Sequence, residues 1–387
     1  MKEKASVLDF GAFGDGLHDD RAAIQSALDS GAAEVVIPIG CYKVSGTLYV
    51  HSNTRVTADR CAHIILSGGV RKRRGDFLLS NAETAGYNEN IELVGGIWDG
   101  CSREAANDKP DIFDLSGYSG TVLNFCGVKG LKIRGVTVKN STTYHIRMSR
   151  IEDFLIEDVD FASDEFAYNQ DGLHFGGEVR RGTVRNIRSL TRGQTNDDMI
   201  ALNADDSVER VENLDIVRGA IEDVTFENIY AENCYTVIRM LSVTAPIRNI
   251  RMKNVYAGYR NYVINGDGAR YCRTPLFRED EYPSGVGRVS NILIENLVVH
   301  PATEAIPNKN STLAAPERAI RLECLCDNFE IRNCRFERLS DDVHALFMTN
   351  VTSTEVVADG ARYLLSEKSD SLTLDSFVNL TVNTVSK

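Results

Sequence analysis

The stretch Asp223-Val-Thr-Phe-Glu-Asn-Ile-Tyr-Ala231 decides the fold, because its pattern returns along the chain. Each copy has a polar start, two alternating apolar positions, an Asn or a charged residue, and two more apolar positions. Alternation with a period of two predicts a strand, and the central polar residue predicts a bend between two short strands. Further copies span Gly130–Val138, Asp153–Phe161, Asn249–Ala257, Asn291–Val299 and Asn328–Phe336.

The spacing of these copies predicts stacked coils. Ile133, Ile156 and Val184 are 23 and 28 residues apart, and later gaps of about 26, 37 and 42 indicate coils with insertions. A repeat of this size without helical periodicity is typical of a parallel β-solenoid, whose coils place like residues ~4.8 Å apart. A sandwich or barrel would need Gly-rich hairpin turns between most strands, and these are sparse. We therefore predict an all-β parallel β-helix.

Both ends of the chain predict caps for the stack. Residues 19–29 predict an N-terminal capping helix with an Asp as its N-cap and with one apolar face. Ser371–Val378 predicts a closing strand of the same stack. Because no Pro/Ser-rich linker interrupts the chain, we predict a single domain over residues 1–387, with a cap at about 1–40 and coils at about 41–387. The apolar helix face consists of Ala23, Ile24, Ala27 and Leu28.

Composition limits the partners. A net charge of −12 disfavours nucleic acid and anionic membranes, and no apolar run approaches the ~20 residues of a membrane span. The N-terminal stretch has no apolar core of a secretory signal, and nine cysteines lack a C-x-x-C pair. These features predict a cytoplasmic protein with buried thiols. Insertions near residues 265–288 and 301–318 leave homo-oligomer formation open.

Three acids stand immediately before apolar strand patterns, in Asn169-Gln-Asp-Gly-Leu-His-Phe175 and Thr195-Asn-Asp-Asp-Met-Ile-Ala-Leu-Asn203. A carboxylate there is costly unless it is paired, bound to a cation or used in chemistry. Asp197 and Asp198 follow Asp171 by 26 and 27 residues, about one coil. Stacking then predicts all three within ~10 Å on one outer face, where repulsion would keep at least one protonated near neutral pH.

Three uses of these acids stay open from the residues alone. A protonated acid and a base carboxylate roughly 6.5–9.5 Å apart can hydrolyse a glycosidic bond with inversion. Acids at coil corners can instead cap backbone N–H groups, which is the role expected of Asp205 and Asp206. Oxygen clusters can also hold Ca²⁺.

Several motifs resemble known β-helix families. The opening Val7–Asp20 is similar to the N-terminal segment of pectin-degrading β-helix enzymes and is shared by several families. Tyr144-His-Ile146, Asn169-x-Asp171-Gly172 and Asp197-Asp198-Met-Ile-Ala201 follow one another as in glycoside hydrolase family 28, the polygalacturonases. The resemblance covers roughly residues 5–260 and implies a right-handed parallel β-helix of the pectin-lyase-like superfamily.

The resemblance also implies roles for the acids. Asp197 would be the general acid, and Asp171 and Asp198 would activate water in an inverting mechanism that needs neither metal nor cofactor; Asp197 and Asp198 could exchange roles. The partner would be a carbohydrate, and an imported oligosaccharide attacked from its end is the expected substrate. Expected substrate contacts are Asn169, His174, Arg239, His145, Arg147 and Tyr259.

Two departures from the family pattern bear on specificity. The family has a Gly-His-Gly, whereas the matching region near Val217–Ala220 contains no histidine, and His174 is the candidate to replace it. The family also has an Arg-Ile-Lys that holds the substrate carboxylate, and here Arg239 remains but Leu241 stands in place of the Lys. The alternatives are a Ca²⁺-dependent polysaccharide lyase on the same fold, a non-catalytic tailspike-like glycan-binding solenoid, and an epimerase.

Overall fold

The computed structural model describes residues 3–67, 73–101, 114–167, 169–206, 209–272, 274–302 and 318–385. The insertion expected near residues 301–318 lies almost wholly outside this range. The chain divides into two compact units. Unit 1 comprises Met1–His174 and Val208–Ile216, and unit 2 comprises Phe175–Ser207 and Val217–Lys387. The single domain stays a prediction.

Unit 1 is built mainly from short strands; its described residues also form one α-helix, α1 (Arg21–Leu28), and the 3-10 turns Val7–Phe10 and Val211–Asn213. Its strands are β1 Lys4–Ser6, β2 Asp15–Asp19, β3 Glu34–Ile37, β4 Cys41–Val44, β5 Leu48–Val50, β6 Arg55–Ala58, β7 His63–Leu66, β8 Leu79–Asn81, β9 Asn88–Glu89, β10 Glu92–Val94, β11 Ile97–Asp99, β12 Leu123–Lys129, β13 Lys132–Arg134, β14 Thr137–Lys139 and β15 Ile146–Phe161; β16, Leu173–Phe175, follows at its border.

The strands of unit 1 pair in parallel ladders, which confirms the stacked parallel strands. One ladder joins β3, β6, β10, β13 and β15 in register. Inward residues of successive strands then lie above one another and form a continuous apolar core. The buried row of this ladder is Val35, Val56, Leu93, Ile133 and Ile156, and a second row is Tyr42, Ile64, Trp98, Val138 and Phe161.

The helix α1 is confirmed as an amphipathic element, with Ile24, Ala27 and Leu28 buried. At 8 residues it is too short to cross a membrane, and no other described helix is long enough. Asp20 occupies the N-cap position as predicted, but its side chain makes no bond to the helix; Asp19 Oδ1 accepts from Arg21 N at 3.1 Å instead. The Asp20 carboxylate accepts from Phe13 N at 2.6 Å and Gly14 N at 3.1 Å, so it ties down the preceding loop.

Unit 2 has longer strands, which run through the bends of the repeat. They are β17 Val179–Ser189, β18 Asp198–Asn203, β19 Ile221–Leu241, β20 Ile247–Asp267, β21 Val289–Pro301, β22 Arg318–Leu322, β23 Cys326–Phe336, β24 His344–Thr349, β25 Thr354–Ala358, β26 Ala361–Leu365, β27 Ser371–Leu374 and β28 Leu380–Thr384. A 3-10 turn spans Glu279–Glu281.

Two parallel ladders form the core of unit 2. The first joins β17, β19, β20, β21 and β23, and the second joins β18, β19, β20, β22 and β24. Their inward rows are aliphatic or aromatic and fully buried, as period-two alternation requires. The rows are Val184, Phe226, Met252, Ile294 and Ile331 in the first, and Ile200, Ile238, Ile264, Ile320 and Leu346 in the second.

A ladder of asparagines forms the predicted bend in unit 2. Each member has a positive φ of 56–59°, which Asn tolerates better than most residues. Each Nδ2 donates to the Oδ1 of the preceding member at 2.8–3.0 Å, so one amide satisfies the next. The members are Asn186, Asn228, Asn254, Asn296 and Asn333.

The C-terminal end of unit 2 departs from the prediction. Residues Ser371–Leu374 do form a closing strand, β27, but it pairs with β24 antiparallel. β28 likewise pairs antiparallel with β23 and β25. The cause is the tight turn at Asp359 and Gly360, with φ of 47° and 87°, which joins β25 to β26 and reverses the chain before another coil can form.

Candidate active site

In unit 1, Asp171 is held in the turn that leads into β16. Asn169 has a φ of 54°, and its carbonyl accepts from Asp171 N at 2.9 Å, which bends the chain. The Asp171 Oδ2 lies 2.7 Å from His174 Nδ1. Because both residues are almost fully buried, at 3% and 1% exposure, this contact fixes the orientation and tautomer of the imidazole.

Tyr144 completes this group by stacking on His174. The two ring centroids lie 3.8 Å apart with an interplanar angle of 15°. The Tyr144 hydroxyl donates to Asn213 Oδ1 at 2.6 Å. The imidazole is therefore held from its edge by a carboxylate and from its face by an aromatic ring, a geometry suited to moving a proton.

Glu212 is a buried acid that the sequence analysis missed. It lies in the 3-10 turn Val211–Asn213 and accepts from Asn169 Nδ2 at 2.8 Å and from Arg210 Nε at 2.9 Å. Asn169 therefore supports the turn before Asp171 through a carboxylate. A Glu within the apolar pattern Val208–Asn213, next to an arginine, was the only sequence signal for it.

Two expected substrate contacts in unit 1, His145 and Arg147, are buried and make hydrogen bonds within the protein. His145 is fully buried, with Nδ1 2.7 Å from the Asp171 carbonyl and Nε2 2.7 Å from Ser163 Oγ. Burial lowers the pKa of His145 from 6.5 to about 4, although the bond to the Asp171 carbonyl opposes this. His145 is therefore neutral and positions Asp171 from the interior.

Arg147 is the second of these. Its guanidinium donates from Nε to Asn124 Oδ1 at 2.8 Å and from Nη1 to the Glu212 carbonyl at 2.7 Å. A further bond reaches the Leu214 carbonyl at 3.2 Å. This buried side chain anchors the segment around Glu212, and its expected contact with substrate stays a prediction.

In unit 2, Arg260 holds the loop that leads to the acid pair. Its Nη2 donates to Asn196 Oδ1 at 2.8 Å and to the Gly193 carbonyl at 3.1 Å, and its Nε donates to the Asn233 carbonyl at 3.3 Å. Asn196 immediately precedes Asp197, so Arg260 fixes the backbone of the pair. Arg260 is therefore a positioning residue for the acid pair.

Arg239 lies between two carboxylates of unit 2. Its Nη1 is 3.5 Å from Asp198 Oδ2, and its Nη2 is 3.0 Å from Asp267 Oδ2. Nη2 also donates to the Tyr271 hydroxyl, and the guanidinium lies 5.0 Å from the centre of that ring. Burial alone would lower the pKa of Arg239, but Tyr271, Asp267 and Asp198 raise it well above its usual value. Arg239 is a permanent cation.

The pKa of Tyr235 is raised by its surroundings beside the acid pair. Burial is the largest cause, and the charges of Asp197 and Asp198 raise the pKa further. A neighbour that resists ionisation in this way is a hydroxyl donor at every physiological pH. Tyr235 therefore adds a neutral donor beside two carboxylates.

Two further sequence expectations concern Tyr259 and Asp205 of unit 2. Tyr259 is fully buried, and burial raises its pKa; its expected contact with substrate stays a prediction. Asp205 confirms its turn role, because its Oδ2 accepts from the backbone N–H groups of Val243, Thr244 and Ala245 at 2.6–2.8 Å.

Comparisons with known proteins place this chain among pectate lyase-like proteins. It is 30% identical over 146 residues to mannuronan C5-epimerase AlgE1 of Azotobacter vinelandii, which covers 29% of this chain and 10% of that protein. The chain thus spans about a tenth of the length of that relative.

Two solved structures share the fold. The surface adhesin PfbA of Streptococcus pneumoniae superposes with a TM-score of 0.53 at 13% identity, over 98% of both chains. A hyperthermoactive exopolygalacturonase of Thermotoga maritima superposes with a TM-score of 0.51 at 14% identity, over 97% of this chain and 95% of that one. The resemblance to polygalacturonase-like β-helix proteins is confirmed at the level of the fold.

A family description, rhamnogalacturonase A/epimerase, pectate lyase-like, matches residues 5–260. The match covers the coils of unit 1, the first coils of unit 2 and the acids Asp171, Asp197 and Asp198. This chain belongs to the rhamnogalacturonase A/epimerase, pectate lyase-like family.

Proposed function

We propose that this protein is a glycoside hydrolase that cleaves a glycosidic bond of an oligo- or polysaccharide with inversion. The observation that carries the proposal is the ion pair between Asp198 and Arg239 in unit 2. A permanent cation beside a carboxylate favours its ionised form, as a general base requires. The neighbouring Asp197 then takes the role of general acid.

The reaction moves two protons, one from the general acid to the leaving oxygen and one from water to the general base. Asp197 donates its proton to the glycosidic oxygen while the bond from that oxygen to the anomeric carbon breaks. Asp198 takes a proton from the water that attacks the anomeric carbon on the opposite face. The products are two sugars, one with an inverted anomeric centre, and exchange with solvent restores the protons of the two acids.

A second candidate is proton transfer at C5 of a uronate, as in an epimerase or a polysaccharide lyase. The group of Asp171, His174 and Tyr144 in unit 1 favours it, because an oriented imidazole beside a tyrosine can move a proton. Similarity to a mannuronan C5-epimerase over 29% of the chain supports it too. This chemistry would depend on His174 and not on Asp197.

The test is release of reducing ends from a panel of neutral and uronate-containing oligosaccharides, with and without EDTA. We expect chelator-resistant release that Asp197→Asn lowers by about 10³-fold, the order of effect of a lost general acid. Asp223→Asn is the matched control, because Asp223 is an exposed bend residue whose φ of 58° suits Asn. It should retain wild-type activity.

Other outcomes would replace the proposal. An unsaturated product absorbing in the ultraviolet, lost on EDTA or in His174→Gln, would identify a lyase. Inversion at C5 without chain cleavage would identify an epimerase. Saturable binding without any product across the panel would identify a glycan-binding solenoid.

A further inference from the structure

Arg239 has little capacity left for a ligand. Its two terminal nitrogens already contact Asp198 and Asp267, and Nη2 also donates to Tyr271. Its Nε is buried without a hydrogen-bond partner among the described residues, and the side chain is only 14% exposed. Recognition of a sugar carboxylate by arginine normally uses two parallel N–H groups. Here such a contact would have to break an existing ion pair.

The second cation of the family pattern is absent for a structural reason. Leu241, which stands in place of the Lys, is fully buried and packs with Val243, Ala269 and Val286. Its register partner on β20 is Asp267, one of the two acids bound to Arg239. The strand thus carries a core residue and an opposing acid where a uronate site would need a positive charge.

The arginines around Arg239 are already matched by carboxylates. Asp198, Asp206 and Asp267 all act electrostatically on Arg239, while Asp197, as the general acid, carries a proton. Among the described residues, the arginines that face this group include Arg239 itself, Arg260 above the Tyr235 ring and Arg218 at the Asp206 carbonyl. Three carboxylates balance these three arginines, so no net positive charge remains to attract a further carboxylate, and Asp198 and Asp267 repel one that approaches Arg239.

Two buried amides supply acceptors beside these acids. Asn265 Oδ1 and Asn203 Oδ1 have no hydrogen-bond partner among the described residues, and the residues are 9% and 1% exposed. Asn265 is the register partner of Arg239, and Asn203 donates to Asp206 Oδ2 at 3.1 Å. Amide and carboxylate oxygens call for hydroxyl donors, and a neutral hexose supplies one more of these than a uronate, at C6, where the uronate has a carboxylate.

We propose that the sugar unit bound at Arg239 is uncharged, and that Arg239 is a positioning residue that holds Asp198 instead of a receptor for a uronate carboxylate. This inference rests on the proposed function for its site. It separates this chain from enzymes that recognise a uronate, because the acids that fix Arg239 also exclude an anionic sugar.

The binding test uses matched substrates that differ only in charge. Oligosaccharides of α-1,4-galacturonate and β-1,4-mannuronate are compared with their carboxyl-reduced forms, with neutral gluco-oligosaccharides added. Titration calorimetry on the Asp197→Asn variant measures affinity without turnover. We expect the neutral member of a pair to bind at least ~10-fold more tightly, the effect of one unfavourable charge contact. Tighter binding of any uronate member, or no binding of any neutral member, would overturn the inference.

A charge variant tests the role of Asp267. Asp267→Asn keeps an acceptor for Ala269 N, which Asp267 Oδ1 binds at 2.7 Å, but frees Arg239 Nη2 from its ion pair. It should raise the affinity for the uronate member by about 10-fold and change the neutral member less. Asp280→Asn is the control, because Asp280 is exposed and paired with Arg278. Equal gains in both variants would show a net-charge effect only and would contradict the inference.

A kinetic readout tests the positioning role of Arg239. Arg239→Gln should move the acidic limb of the pH profile of kcat to higher pH, because Asp198 loses its cation, and Arg239→Lys should restore it in part. A rise in KM alone, with an unchanged pH profile, would mark Arg239 as a substrate contact instead. If no substrate is turned over, the proposed hydrolase fails while the calorimetric comparison still decides the charge of the ligand.

Discussion

The two units hold their acids in different ways. In unit 1, Asp171 is paired with His174, and the surrounding groups are a tyrosine ring and amides. In unit 2, Asp198 is paired with Arg239, and the surrounding groups are further carboxylates. Histidine can gain or lose a proton near neutral pH, whereas arginine cannot. Unit 1 therefore offers a partner that can exchange protons, and unit 2 offers a fixed charge.

Removing the fixed charge should have the largest effect on stability. Arg239→Met leaves Asp198 and Asp267 buried without their cation, which typically costs about 3–5 kcal/mol. His174→Gln in unit 1 keeps a neutral partner for Asp171 and should cost about 1 kcal/mol. Urea unfolding of both variants measures the difference. Arg278→Met, at an exposed ion pair, should change stability by less than ~1 kcal/mol. Equal losses for Arg239→Met and His174→Gln would break the comparison.

The pH dependence of stability should distinguish the two units further, because unit 1 contains the buried neutral His145, which can gain a proton, whereas Arg239 of unit 2 stays charged. The folded pKa of His145 is about 4 against 6.5 when unfolded, so between these values the unfolded chain binds a proton that the folded chain does not. Stability from His145 is complete above pH 6.5 and falls as the pH drops towards 4, by on the order of 3 kcal/mol.

Urea unfolding at several pH values checks this effect. His145→Gln should be less stable than wild type at pH 7 but should lose less stability between pH 7 and 4. Parallel curves for the two proteins would show that His145 is not the group that responds to acid.

The smallest effect concerns the bends. Unit 2 has an unbroken row of asparagines, whereas bends of unit 1 include Gly95 and Gly135. Asn254→Ala removes two amide hydrogen bonds and places Ala at a φ of 59°, at a cost of about 1–2 kcal/mol. Asn254→Gly relieves the backbone strain only and should recover part of this loss in the same unfolding measurement. No difference between Ala and Gly would mean that the hydrogen bonds account for the whole effect.

The fold was predictable because every copy of the repeat has the same alternation of apolar and polar residues. Residues of the Val35 and Val184 rows all lie at corresponding positions of the repeat, so the inward face could be read directly. Strand direction at the C-terminus could not be read, since alternation is the same for parallel and antiparallel strands. The turn at Asp359 and Gly360 decided it.

The site was harder to predict where contacts are distant in sequence. The contact of Asp171 with His174 is local, and a spacing of three residues pointed to it. The partners of Arg147 could not be predicted because the segment that covers it, around Glu212, is 65 residues further along the chain. The burial of Tyr259 could not be predicted because its partner strand shifts register beside Cys234.

The antiparallel end of unit 2 has a consequence for self-association by strand addition. A parallel coil with an open edge offers unpaired N–H and C=O groups that can template another chain, as in fibril growth. Here β27 and β28 occupy the edges of β24 and β23, and the reversed strands cannot continue the parallel register. The next edge, β26, is short, and its Arg362 is paired with Glu355 across the hairpin. The C-terminal hairpins therefore act as a terminator that keeps a stackable architecture from polymerising at this end.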